Sequence, residues 1–185
     1  PLSGLDMGAA VNAEAELKMA DMFDICHGGG LDLCALGLAE IDAMGNVNVS
    51  KFHGRVTGPG GFIDLAQHTK KLILMGTFTA GGLREHCEGG RLVIDREGKY
   101  QKFKTDIEQV TFSGDYAAAH GQHVLVVTER AVFRLTPQGL MLTEIAPGVD
   151  LERDILSQME FRPLIADDLQ LMDGRIFQPN PMGLS

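Results

Sequence analysis

Hydrophobic positions along this chain recur at two spacings. Over residues 12–25 they fall at Ala13, Leu17 and Ala20, with Met22 and Phe23 close by, which is the spacing of one face of a helix. Gly28-Gly29-Gly30 predicts where that helix stops, because glycine accepts the left-handed backbone of a C-terminus. Residues 31–41 (LDLCALGLAEI) are mostly apolar and short, and predict a buried strand of an α/β sheet. Residues 42–46 are turn material. The alternating stretch 47–52 (VNVSKF) predicts a second strand that returns. Past the glycine-rich stretch 54–61, residues 62–70 predict a short helix. Residues 71–78 (KLILMGTF) predict a buried strand that ends in the loop Thr79-Ala80-Gly81-Gly82.

In the second half, residues 91–95 and 99–104 flank Arg96-Glu97-Gly98 and predict a hairpin. Residues 110–113 predict a short strand, and 117–120 a helical turn closed by Gly121. Three strands follow at 124–128, 131–135 and 140–145, the last two joined by the turn Thr136-Pro137-Gln138-Gly139. Asp150 predicts the N-cap of a helix over 151–159. Beyond Phe161, the prolines Pro163, Pro179 and Pro181 predict an irregular tail. Helices interspersed among strands predict an α/β fold, an open mixed sheet with flanking helices, in one domain spanning residues 1–185.

Composition narrows the function. The 185 residues suffice for a full core without staples. A net charge of −9, with no basic stripe, argues against nucleic acid as a partner. A local anion site remains possible, because backbone NH groups can hold a phosphate or carboxylate in an acidic protein. Three cysteines, Cys26, Cys34 and Cys87, are too few and too irregular for a disulfide scaffold and point to a reducing cytoplasm. No apolar run approaches the ~20 residues of a spanning helix, so no membrane is expected. No signal peptide is apparent, and Pro1 is not an initiator, so the natural N-terminus is expected upstream.

The feature that most suggests chemistry is Gly58-Pro59-Gly60-Gly61-Phe62. A glycine-rich turn feeding a helix presents unpaired NH groups to a phosphate or to charge developing on a carbonyl oxygen. Taken locally, the signal is weak, and a tight strand-to-helix turn with no ligand is the favoured reading. Gly81-Gly82, past the strongest strand, would share an edge with the same cleft if that strand runs parallel to its neighbours. The adjacent pairs Cys26-His27 and His86-Cys87 lack metal-ligand spacing, and no metal is expected. No GxSxG motif is present.

Taken together, several segments resemble the single-chain family I CoA-transferases that act on acetate, propionate and other short-chain acyl groups. They are His27-Gly28-Gly29-Gly30-Leu31-Asp32, residues 45–52 (GNVNVSKF), residues 58–65, residues 70–82 (KKLILMGTFTAGG), residues 128–133 (TERAVF) and residues 142–155 (LTEIAPGVDLERDI). The likeness runs from Pro1 to about Met182 and corresponds to the carboxyl-terminal, beta-subunit-like domain of that family.

The resemblance implies an open α/β domain like those of ribose-phosphate and glucosamine-phosphate isomerases, facing an amino-terminal CoA-transferase domain across the active site. It implies covalent transfer of CoA between an acyl-CoA and a short-chain carboxylate through a glutamyl-CoA thioester, with CoA esters as substrates and no other cofactor. Backbone NH groups of Gly60 and Gly61 would form the oxyanion hole. Gly58, Phe62, Gly81 and Gly82 would shape the substrate and CoA site. The family's nucleophilic glutamate belongs upstream of Pro1, so this chain alone is expected to be inactive. Ile25-Cys26 stands where relatives often carry aromatics. A homo-oligomeric parent is also expected. The alternatives are a ligand-binding domain of the same fold class, by analogy with sugar-phosphate sensor domains, and a non-catalytic docking domain.

Overall fold

A six-stranded mixed sheet is the frame on which the computed structural model, describing residues 12–184, is built. In chain order the elements are α1 (Met19–Ile25) with a wider helical turn over Cys26–Gly30, then β1 (Leu33–Gly37), β2 (Glu40–Ile41), β3 (Val47–Asn48), β4 (Lys51–Phe52) and β5 (Arg55–Val56). Next come α2 (Phe62–Ala66), β6 (Lys71–Met75), β7 (Thr79–Ala80), β8 (Arg84–Glu88), β9 (Arg91–Arg96) and β10 (Tyr100–Gln101). The last group is α3 (Gly114–Ala119), β11 (His123–Val127), β12 (Ala131–Thr136), β13 (Gly139–Ile145), helical turns over Leu151–Ile155 and Leu156–Gln158, β14 (Leu164–Leu171) and a final turn over Gly174–Phe177. The main sheet runs β1-β6-β11-β12-β13-β14. β6 is parallel to both β1 and β11, β12 is antiparallel to its neighbours, and β14 is parallel to β13. Five of the six strands therefore end on the same edge. The short helix α2 lies in the crossover from β1 to β6, and the start of that helix lies at this carboxyl edge.

Cross-strand rows separate the two faces of the sheet. Leu72 and Leu74 on β6 align with Val124 and Val126 on β11 and point into the core with Phe133, Leu140 and Leu142. Phe62 and Ala66 of α2 and Ala117 of α3 close over them. Phe78, Phe103 and Phe133 form an aromatic trio at the carboxyl edge, the first two stacked at 4.5 Å between centroids. The opposite face carries Ala35, Ile73 and Leu125 in one row and Gly37, Met75 and Val127 in the next. That face is partly open: Met75 is 46% and Leu125 39% exposed. The run 71–78, read as buried throughout, is thus buried on one side only.

Several local expectations need correction. The first helix begins at Met19 rather than near residue 12. Leu17 is 61% exposed, and a short helix without a buried face lacks most of its stabilisation. The expected strand 31–41 leaves the sheet after Gly37, and Glu40–Ile41 pairs instead with Val47–Asn48. Strand 47–52 is broken by buried Asn48, whose side chain bonds Glu40 and the Lys51 carbonyl and accepts from the amides of Ser50 and Lys51.

The hairpin expected around residues 96–98 does not form. β9 pairs with β8 across Gly89-Gly90, both at positive φ as a two-residue hairpin turn requires, and β10 pairs with β7. Residues 110–113 contribute a single bridge, Val47 to Phe112, rather than a strand. Helix 62–70 is only five residues long. Asp150 does cap the segment after it, accepting from the Arg153 amide at 2.8 Å, but that segment is a wide turn and a 3-10 turn rather than a regular helix. The tail expected to be irregular carries β14, an edge strand preceded by Pro163, and its pairing with β13 breaks register between Ile165 and Gln170.

Candidate functional site

Three features gather at the carboxyl edge of the sheet. The first is the loop before α2. Gly58 and Gly60 have φ of +83° and +55°, a backbone that L side chains rarely adopt. The Gly58 amide donates to the Ser50 carbonyl at 3.2 Å and that of Phe62 to Pro59 at 3.1 Å. Among the described residues the intervening amides of Gly60 and Gly61 meet no acceptor. Gly60 is exposed and Gly61 half-buried. The Phe23 ring lies so close over Gly61 that a Cβ there would fall 2.5 Å from it. Because α2 has five residues, its dipole adds little, and the loop amides themselves are the donors on offer. Phe62 is buried among core residues rather than lining the loop surface.

The second feature is an ion network in the turn between β11 and β12. Arg130 is wholly buried. Its guanidinium donates to both carboxylate oxygens of Glu97, to Glu129 at 2.6 Å and to the Asp154 carbonyl at 3.0 Å, and it stacks 5.1 Å from the Phe78 ring centre. Burial alone would lower its proton affinity, but the bonds and charges of Glu97 and Glu129 outweigh burial and raise it. Glu129 also accepts from the Phe78 amide at 2.8 Å, and Glu97 from the Thr79 hydroxyl at 2.9 Å. The network therefore pins the start of the loop that carries Gly81 and Gly82.

Those two glycines are exposed, with φ of +80° and +101°. The Gly81 carbonyl accepts from the Lys99 amide and that of Gly82 from Arg96 Nε, and the Tyr100 ring packs against Gly81.

The third feature is a cleft of about 680 Å³. Its lining includes Leu38, Glu40, Phe52 and His53, Ala80 with residues 98–102, and Lys104. None of Gly58, Gly60, Gly61, Phe62, Gly81 or Gly82 lines it, so the structure sets both glycine loops on the edge of the sheet but does not bring them together in one wall. Sequence reasoning missed Tyr100 and Lys102 because it placed them in a hairpin strand, where a lysine carries no signal. It quoted Arg130 and Glu129 only within a motif.

Among the described residues no group of three or more His, Cys, Asp or Glu could hold a metal, and no helix is long and apolar enough to cross a membrane.

Fold and site together define an α/β domain whose ligand would sit at the carboxyl edge of parallel strands, beside unpaired loop amides. Similarity to known proteins makes the class specific: the chain belongs to the family I CoA-transferases. Acetate CoA-transferase YdiF of Escherichia coli K12 is 50% identical over 180 residues, which is 97% of this chain and 34% of that protein. Caffeate CoA-transferase of Acetobacterium woodii is 47% identical, covering 100% of this chain and 36% of its own length. The crystal structure of the acyl-CoA transferase YdiF apoenzyme from Escherichia coli O157:H7 superposes with a TM-score of 0.92 at 50% identity, covering 96% of this chain and 35% of that one. A thioester complex of YdiF with CoA gives the same score, at 50% identity, over 95% of this chain and 34% of that one. The chain spans about a third of the length of these relatives. No protein-family model matches.

Proposed function

We propose that this chain is the carboxyl-terminal part of an enzyme that moves CoA between short-chain acyl groups, and that it supplies the oxyanion side of the active site. The observation that carries the reading is 50% identity, over 97% of the chain, to an acetate CoA-transferase. The unbonded amides of Gly60 and Gly61 support it, since acyl transfer needs donors aimed at the oxygen where charge develops.

In the proposed reaction a glutamate carboxylate, supplied by a segment preceding residue 1, attacks the thioester carbonyl. The carbonyl oxygen becomes the oxyanion held by Gly60 and Gly61. The C–S bond breaks, CoA leaves as thiolate, and an acyl-glutamyl anhydride remains. The thiolate then attacks the glutamyl carbonyl of the anhydride, releasing the first acid and leaving glutamyl-CoA. An acceptor carboxylate runs these steps in reverse. CoA esters are substrates, and the scheme calls for no other cofactor. Gly58 and Phe62 hold the loop, and Gly81 and Gly82 border the CoA path.

An amino-terminal CoA-transferase domain completes the site. The open apolar rows of the sheet, Ala35, Ile73 and Leu125 with Gly37, Met75 and Val127, are consistent with further protein covering that face, because parallel sheets are normally covered on both sides. We place the complete protein in the cytoplasm, as a homo-oligomer.

Borohydride trapping tests the reading. The complete protein is incubated with acetyl-CoA, reduced, digested and mapped by mass spectrometry. A glutamate upstream of residue 1 converted to its alcohol is the expected result. No modified residue with any of a panel of acyl-CoA esters would move the function to ligand binding.

A further inference from the structure

We propose that Lys102 recognises the carboxylate of the free acid substrate in the cleft at the carboxyl edge of the sheet; this rests on the transferase reading above. Lys102 is 8% exposed and lines the cleft of about 680 Å³. Among the described residues its ammonium makes no hydrogen bond or ion pair. The carboxylates tied to its surroundings are already engaged: Glu129, whose charge it feels, is taken by Arg130 and the Phe78 amide, and Glu40 on the same cleft holds the Asn48 side chain at 2.7 Å. Burial pulls the proton affinity of Lys102 down, and Glu129 only partly opposes this. An unmatched buried cation costs stability, so the fold gains nothing from keeping one there.

The surroundings are shaped to seat this group. A Cβ at Gly76 would lie 2.7 Å from Lys102 Nζ and 3.0 Å from the Leu38 carbonyl, so the glycine clears the space beside the ammonium. Leu38, Phe52, Ala80 and Tyr100 give the cleft apolar and aromatic walls, with the exposed Lys99 also on its lining. Lys102 is the buried one of three lysines on this lining, with Lys99 exposed and Lys104 already paired to Glu160. One buried, unpaired positive charge among such walls matches a monoanion with a short apolar body. An acyl thioester carries no charge at the corresponding carbonyl. Lys102 thus distinguishes the free acid from its CoA ester, which a ping-pong enzyme must bind in turn.

The test uses the complete protein as wild type and as the Lys102→Met, Lys102→Arg and Gly76→Ala variants. Steady-state kinetics with acetyl-CoA and a set of carboxylates separates the two substrates. Lys102→Met should raise the KM of the acid by about tenfold to a hundredfold, the value of one charge-assisted hydrogen bond, while leaving the KM of acetyl-CoA unchanged. Gly76→Ala should act in the same direction, and Lys102→Arg should restore part of the acid affinity. The thermal midpoint of Lys102→Met should equal or exceed that of wild type. A fall in midpoint, an unchanged acid KM, or an equal loss with both substrates would overturn the proposal, the last by assigning Lys102 to the enzyme's own nucleophile. Saturation-transfer NMR with acetate reads the site without turnover. A wild type that binds acetate through Lys102 but transfers no CoA would sink the transferase reading and, with it, the role of Lys102 toward a substrate, whereas a wild type that transfers CoA with acetate binding unchanged in Lys102→Met would overturn this proposal alone.

Discussion

Replacing Arg130 with methionine is the most informative test of what holds the carboxyl edge together. The guanidinium is wholly buried, makes four hydrogen bonds to Glu97, Glu129 and the Asp154 carbonyl, and rests against Phe78. Methionine fills much of the volume but leaves the carboxylates of Glu97 and Glu129, 29% and 14% exposed, facing each other without a cation. Breaking a buried pair from one side costs about 3–5 kcal/mol, mainly because the remaining charge is stranded. For a domain of this size each kcal/mol moves the melting midpoint by about 2–4 °C, so the transition of this domain should fall by about 6–20 °C. Differential scanning calorimetry of the complete protein reads it. Adding Glu97→Gln to Arg130→Met should recover part of the loss, because one stranded charge is then removed. A loss below about 1 kcal/mol would mean the network is dispensable, and the argument from stranded charge would be wrong.

Three further outcomes follow from the same geometry. Gly61→Ala drives a Cβ against Phe23 at 2.5 Å, so transfer by the complete protein should drop by about tenfold to a hundredfold, less than outright loss of an oxyanion donor, and Phe23→Leu in the same chain should restore most of it. The Arg153 side chain holds the Asp154 carboxyl below the usual carboxylate range, so the stability this gives is present above about pH 4 and is lost as pH falls through the lowered value. Urea midpoints should therefore decline less steeply with acid in Asp154→Asn than in wild type. Ser113→Ala removes the cap that accepts from the Tyr116 amide at 3.2 Å, and should cost about 1 kcal/mol by urea unfolding without changing kcat.

What the sequence made legible follows from how local each signal is. The strands of 124–128, 131–135 and 140–145 are short apolar runs, the last two joined by a proline-glycine turn, and they form as expected. β6 was legible as the strongest apolar run, and its central parallel place follows. β8 (REHCE) was invisible because all five of its residues are exposed, so no period marks it. Without it β9 was given the wrong partner. β14 was hidden behind a proline and lacks alternation because it is an edge strand. Of the candidate site, the glycine loops were visible in the sequence because glycine is itself a backbone signal, and their role stays a proposal. Lys102 was not, because its meaning lies in burial and in the absence of a partner, which are properties of distant segments meeting.

Two buried cations at one edge of the sheet therefore carry opposite meanings. Five strands end there, and their loops must turn polar chain ends back into the fold, so charge at that edge is expected on topological grounds. Arg130 sits in the turn between β11 and β12 with its donors matched to acceptors of the same chain. Its removal should be felt as instability. Lys102 lies in the same layer with an ammonium that no described residue engages, next to a glycine that leaves it room and beside a cleft large enough for a small acid. Its removal should be felt as lost recognition. A stability loss at Arg130 that leaves the KM of the acid unchanged, together with a raised acid KM at full stability at Lys102, would separate scaffold from site within one polar layer, a distinction that burial and charge alone do not draw.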